Sequence, residues 1–338
     1  MNKNNRPPQC RIAIIGSGRI GKLHAENIQY QLPQFKLMAV ADPNLDSEWA
    51  NSMPIPLKSN NPDEIINHPD LDALIIASPS HVHIEQIKAA SSANKAIFCE
   101  KPLGLTEEDI QSALAVVKDN NTLLQIGFNR RFDPSFAAIQ TRVRNGAIGL
   151  PHIIRITSRD PACPSKDYCA TSGGMFMDMS IHDFDMARFL TSSEVIEVYA
   201  SGSVLINPDF EAFNDVDTAI IQLRFANGAL AVIDNSRQAV YGYDQRIEVF
   251  GSRGMLRAEN QVENTVKHYS CEHTQQANPL HFFLERYQQA YLLELRSFYD
   301  VWLNKKPSPV SGWDGLQALR IAKAAKQSLE TNLPVALN

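Results

Sequence analysis

Arg11-Ile-Ala-Ile-Ile15-Gly16-Ser17-Gly18-Arg19-Ile20-Gly21 runs from a short apolar stretch into a glycine loop and on to a helix-forming segment, Ile20 to Tyr30. The continuous apolar run is the pattern of a strand buried on both faces. A Gly-x-Gly-x-x-Gly pattern alone is a weak signal, and its place between strand and helix makes it informative. Gly16 permits the tight turn, Gly18 lets backbone approach a pyrophosphate, and Gly21 allows close helix–strand packing. The helix N-terminus adds amide donors and a favourable dipole. Gly16, Ser17, Gly18, Arg19 and Ile20 are therefore the expected phosphate seat.

Working outward, Phe35–Ala41, Leu71–Ala77, Ala96–Cys99 and Leu123–Ile126 read as further strands. Thr106-Glu-Glu-Asp109 opens a helix, with Thr106 as its cap. Strands alternating with helices at this spacing predict a doubly wound parallel sheet. The second strand ends at Asp42, whose carboxylate can accept both adenosine ribose hydroxyls. No Arg or Lys follows within four residues, and Asp42 would repel a 2′-phosphate, so NAD is favoured over NADP. The fourth strand runs into Glu100-Lys101-Pro102 at the end of the sheet that faces the ligand crevice.

Past about residue 150 the rhythm changes. Residues 153–158, 195–205, 218–225, 230–236, 246–250 and 265–269 look like strands with short connections. Asn227-Gly228 is a two-residue hairpin signal. This run predicts a largely antiparallel sheet. Residues 282–303 are helical in pattern, Pro307-Ser-Pro309 breaks the chain, and a last helix covers about 313–329.

Between these regions lies Gly173-Gly-Met-Phe-Met-Asp-Met-Ser-Ile-His-Asp-Phe-Asp-Met186. Read as one helix, it places Asp178, His182 and Asp185 on a single face with apolar neighbours. A carboxylate one turn before an imidazole can orient a general base, and an inert surface pair is the alternative. The pair also invites a metal reading, but no third ligand sits at a supporting spacing, so none is expected.

The 338 residues carry 32 Lys and Arg against 37 Asp and Glu, a net charge of −5 with the basic residues scattered. That argues against nucleic acid or an anionic membrane as partner. The five cysteines form no paired CxxC pattern, and no apolar run approaches a membrane span, so a cytoplasmic protein is expected.

In this order the glycine loop, Glu100-Lys101-Pro102, Gly127-Phe-Asn-Arg-Arg-Phe132 and Asp178-x-x-x-His182 resemble the glucose–fructose oxidoreductase/inositol dehydrogenase family (Gfo/Idh/MocA). Residues 172–186, Tyr241-Gly-Tyr-Asp-Gln-Arg-Ile-Glu-Val-Phe-Gly251 and Ser311-Gly-Trp-Asp-Gly315 resemble its inositol 2-dehydrogenases. The resemblance covers essentially the whole chain. It implies an α/β plus α+β architecture. An N-terminal NAD-binding Rossmann domain (1–126) would precede an open, mostly antiparallel substrate and oligomerisation domain (127–310). A last helix at about 311–330 would return to the first domain.

The resemblance further implies NAD-dependent oxidation of myo-inositol by a homotetramer. Scyllo-inositol, another isomer or a pyranose sugar is the runner-up substrate, and a non-catalytic NAD-binding regulator the remote alternative. Lys101, Asp178 and His182 fall on the family's catalytic positions. Asn129, Arg130, Asp185, Tyr243 and Tyr291 fall near the polyol, and Ser78, Pro79, His83 and Glu100 near the cofactor. Ser158 departs from the histidine that some bacterial inositol dehydrogenases carry there.

Overall fold

The computed structural model describes residues 7–337. Two compact units emerge, and the chain visits each of them twice. The first comprises the described residues through Phe128 together with Tyr291–Leu316; the second comprises Asn129–Ala290 and the described residues from Gln317 onward.

In the first unit, strands β1 (Cys10–Ile15), β2 (Phe35–Ala41), β3 (Leu57–Ser59), β4 (Ala73–Ile76), β5 (Ala96–Glu100) and β6 (Leu124–Gly127) form one sheet. Its order is β3-β2-β1-β4-β5-β6, and every pairing is parallel. The two faces of β1 explain the unbroken apolar run: Ile12, Ala13, Ile14 and Ile15 are all fully buried. Helix Arg19–Gln31 follows the glycine loop. On one face, Ile12, Ile14, Leu37, Val40 and Phe98 pack with Leu295 and Phe298 of helix Gln288–Asn304. The start of helix Gly312–Thr331 also belongs here. A Cβ on Gly312 would lie 2.1 Å from Leu114, and one on Gly315 would lie 3.0 Å from Leu103. Tyr291–Leu316 thus form part of the first unit.

The second unit is built on β7 (Pro151–Arg159), β8 (Val195–Ser203), β9 (Thr218–Phe225), β10 (Leu230–Ser236), β11 (Asp244–Gly251), β12 (Gly254–Ala258) and the short β15 (Val335–Ala336). Their order is β12-β11-β7-β10-β9-β8-β15; only β7 and β10 run parallel. Strands β13 (Lys267–Tyr269) and β14 (Thr274–Gln276) make a separate exposed hairpin. In β9, Ala219, Ile221, Leu223 and Phe225 are buried while Ile220, Gln222 and Arg224 are exposed, the alternation of a sheet with one covered face.

Two local expectations are corrected. The β9–β10 hairpin is a three-residue loop rather than a two-residue Asn-Gly turn. Gly228 N–H donates to the Phe225 carbonyl, Phe225 N–H donates to that of Ala229, and Gly228 sits at φ +87°. That is a type I turn closed by a left-handed glycine. The stretch after Gly174 is not one helix either. A single turn, Met175–Asp178, gives way at Met179 to a second helix, Ser180–Thr191.

Candidate active site

In the first unit the parallel strands deliver the glycine loop, Asp42, Ser78 and Glu100 to one edge of the sheet. The loop is held closely. A Cβ on Gly16 would lie 2.5 Å from the Ala77–Ser78 backbone, and one on Gly21 would lie 1.9 Å from the Gly16 carbonyl oxygen. At Gly18 such an atom would meet nothing within 4 Å, and no side chain caps the helix that starts there. The helix N-terminus without a side-chain cap and the open approach fit a phosphate.

Asp42 does more than end a strand. Its Oδ2 accepts from Ser17 N–H (2.6 Å) and Ser17 Oγ (3.1 Å), and its Oδ1 accepts from Asn44 N–H (2.8 Å). It therefore ties the glycine loop to the second strand, with acceptor capacity left for a ribose hydroxyl. A cleft of about 760 Å³ opens here, lined by Gly16, Ser17, Gly18, Asp42, Ser78 and Pro79 among others. Asp46, Asp63 and Glu85 also line it, and no Lys or Arg does. That electrostatic setting disfavours a 2′-phosphate. Arg19 is exposed and Ile20 half-buried at the start of the helix.

Glu100 and His83 turn inward, and both are hydrogen-bonded within the unit. His24 Nε2 lies 2.7 Å from Glu100 Oε1. His83 is 1 % exposed, with Nδ1 2.9 Å from the Pro102 carbonyl and Nε2 2.8 Å from that of Ser78. The ring braces the Ser78 loop against the segment that carries Lys101. Burial pushes its pKa down, although the two carbonyls favour its charged form. Ser78 Oγ donates to Gln86 (2.6 Å), and Lys101 is half-buried.

In the second unit Asp178 closes the one-turn helix and His182 lies in the first turn of the next; both are half-buried. Asp178 Oδ1 accepts from Tyr168 Oη (2.7 Å) and Oδ2 from Arg237 Nη1 (3.1 Å). Arg237 also donates to Asp160 (3.3 Å). Burial opposes the Arg237 charge, but Asp178 and Asp160 outweigh it and hold the guanidinium charged. Burial, reinforced by Asp178, pushes Tyr168 up. Asp178 is thereby fixed in place from two sides.

The expected polyol contacts divide. Asp185 is 1 % exposed and takes two hydrogen bonds from Arg131, Nε to Oδ2 at 2.8 Å and Nη2 to Oδ1 at 2.5 Å. Arg130 is 5 % exposed; its Nη1 donates to Asp183 (2.5 Å) and to Ser158 Oγ (3.1 Å). Ser158 donates on to Gln245, which also receives Tyr287 Oη. These side chains share a buried network of the second unit. Asn129 and Tyr243 are buried in this unit, and Tyr243 stacks edge-on with Tyr287. Tyr291 belongs to the first unit, its ring edge-on to His24.

The sequence reading missed Asp160, Tyr168 and Arg237. Asp160 and Arg237 each lie one residue beyond a strand. The parallel register pairs Arg159 with Ser236, which sets the two side chains next to each other. Only the strand pairing reveals this.

Residues 10–128 match the model of an oxidoreductase family with an NAD-binding Rossmann fold, and residues 136–257 match the GFO/IDH/MocA C-terminal domain. The chain belongs to the GFO/IDH/MocA family of oxidoreductases. Among similar members, an uncharacterized oxidoreductase of Bacillus subtilis, YrbE, is 50 % identical, over 97 % of this chain and 97 % of its own. The myo-inositol 2-dehydrogenase of Thermotoga maritima is 46 % identical, covering 97 % of this chain and 98 % of its own. A scyllo-inositol dehydrogenase of Lactobacillus casei, solved with NAD(H) and scyllo-inositol bound, superimposes with a TM-score of 0.91 at 34 % identity. That match covers 97 % of this chain and 99 % of the other. This GFO/IDH/MocA chain is thus an NAD-dependent oxidoreductase with a parallel nucleotide-binding sheet and a mixed second sheet.

Proposed function

We propose that the chain oxidises myo-inositol to 2-keto-myo-inositol with NAD, the first unit holding the cofactor and the second the polyol. The observation that carries this reading is the anchored Asp178 at the entrance to the helix that bears a half-buried His182. Its setting is a chain that aligns almost end to end with a myo-inositol 2-dehydrogenase. NAD bound at the glycine loop and Asp42 would supply the acceptor for the hydride of the ring carbon. His182 takes the hydroxyl proton as general base. Asp178 stabilises the imidazolium, and Lys101 hydrogen-bonds the reacting oxygen and favours its developing negative charge. Gly16–Gly18 and the first helical amides hold the pyrophosphate; Asp42 accepts a ribose hydroxyl.

Scyllo-inositol is the competing substrate, since scyllo-inositol dehydrogenases also align with nearly the whole chain. We also infer a cytoplasmic homotetramer. An exposed apolar row, Met255, Phe250, Ile153 and Leu230, crosses neighbouring strands on the uncovered face of the second sheet. Among the described residues no helix is long and apolar enough to cross a membrane.

The test is NADH formation at alkaline pH from myo-, scyllo- and D-chiro-inositol and D-glucose, with NADP run in parallel. Turnover is expected to be fastest with NAD and myo-inositol, and His182→Ala to lower kcat/KM by about 10²- to 10⁴-fold. Near-normal kcat/KM in that variant removes His182 from the base role. NAD binding without NADH from any polyol returns the chain to a non-catalytic binder.

A further inference from the structure

Glu294, on the inner side of helix Gln288–Asn304, has no access to solvent, and neither of its carboxyl oxygens has a hydrogen-bond partner. One ligand atom each from Glu294, Glu100 and His24 lies within 4.8 Å of the other two. The cluster is walled in. His24 meets the rings of Phe98 (5.4 Å) and Tyr291 (5.9 Å), and Gln125 Nε2 donates to the Glu294 main-chain carbonyl (3.1 Å). A Cβ on Gly127 would lie 3.0 Å from the Glu100 carboxyl group.

Two carboxylates this close, one without a partner, cannot both stay ionised in a dry core. A metal ion would resolve the charge, but the geometry argues for a proton. Two ligands of a tetrahedral ion with bonds near 2.1 Å sit roughly 3.4 Å apart. His24 Nε2 and Glu100 Oε1 are 2.7 Å apart, a hydrogen bond. Burial first, and then the charge of Glu100, hold the Glu294 carboxyl well above the usual range. The titratable groups around it are His24 from helix Arg19–Gln31, Glu100 from β5, and Tyr291, which meets His24, from its own helix.

We propose that Glu294 is a positioning residue: a neutral acid that packs beside Glu100 without repelling it, so that His24 holds Glu100 and hence the segment Glu100-Lys101-Pro102 in place. The positioning half rests on the role proposed for Lys101; the neutral state of Glu294 does not.

Unfolding followed by heat across pH separates the two halves. The folded chain binds a proton that the unfolded chain releases above the ordinary carboxyl range. Wild type therefore loses stability as pH rises through that window, whereas Glu294→Gln has no proton to lose. The Tm of Glu294→Gln is expected to gain on that of wild type steadily from about pH 5 to pH 8. A pH-independent difference overturns the neutral acid, and so does one bound metal ion per chain by elemental analysis.

For positioning, Glu294→Ala is expected to lower kcat for inositol about tenfold with the KM for NAD little changed, and Glu294→Gln to restore most of it. Equal kcat in wild type and Glu294→Ala overturns the positioning role. An unchanged kcat in Lys101→Ala, with the pH-dependent Tm gap intact, indicts the Lys101 assignment alone.

Discussion

Arg131 donates two hydrogen bonds to Asp185, with only 8 % and 1 % of their surfaces exposed. Phe189 lies under the guanidinium at 5.0 Å. Removing one partner of such a pair leaves a buried charge unbalanced. Asp185→Ala is therefore expected to lose about 3–5 kcal/mol in urea unfolding, with the KM for inositol in the folded fraction close to wild type. A large KM rise at unchanged stability would instead make Asp185 a substrate contact. Helical spacing put Asp185 with Asp178 and His182 because the signal reports faces, not partners. Arg131 lies 54 residues earlier in the chain. Asp42 was legible for the opposite reason, since the strand before it and the glycine loop beside it are local.

At the scale of elements, the strand–loop–helix at residues 10–31 was readable because each requirement is short-range: an apolar run, a turn glycine and a helix. Gly21 is the tightest point. Its Cβ would sit 1.9 Å from the Gly16 carbonyl oxygen, which is backbone and has no rotamer to move. Gly21→Ala is expected to cost about 2 kcal/mol or more as the helix is pushed off the loop. NAD affinity should fall with it, measurable by urea unfolding and by quenching of intrinsic fluorescence. Wild-type stability and affinity together would mean that the loop yields freely. Strand β3 escaped the sequence reading because it has three residues and none is fully buried. The break at Met179 escaped because no glycine or proline marks it. Tertiary bonds instead pin the second helix, from Ser180 to Asn235 and from Asp183 to Arg130 and Asn235.

At the scale of the molecule, periodicity showed that residues 282–303 form a helix but not where it goes. Its destination follows from Leu295 and Phe298, which complete the core over β1, β2 and β5. The second sheet poses the converse question, because its outer face keeps apolar side chains in solvent. Phe250 pairs in register with both Met255 and Ile153, and Ile153 with Leu230, so the four form one row across four strands. They are 37–74 % exposed as a group with Leu150 at the edge. A contiguous exposed row of this kind marks an interaction surface. If two copies bury it against each other, a carboxylate placed in the row is trapped without a partner. The double variant Ile153→Glu/Phe250→Glu should therefore leave the far-ultraviolet circular dichroism and NAD binding intact. Its mass by light scattering should fall from a multiple of 37.7 kDa to that of a smaller assembly. An unchanged mass would show that this face is not the one that assembles.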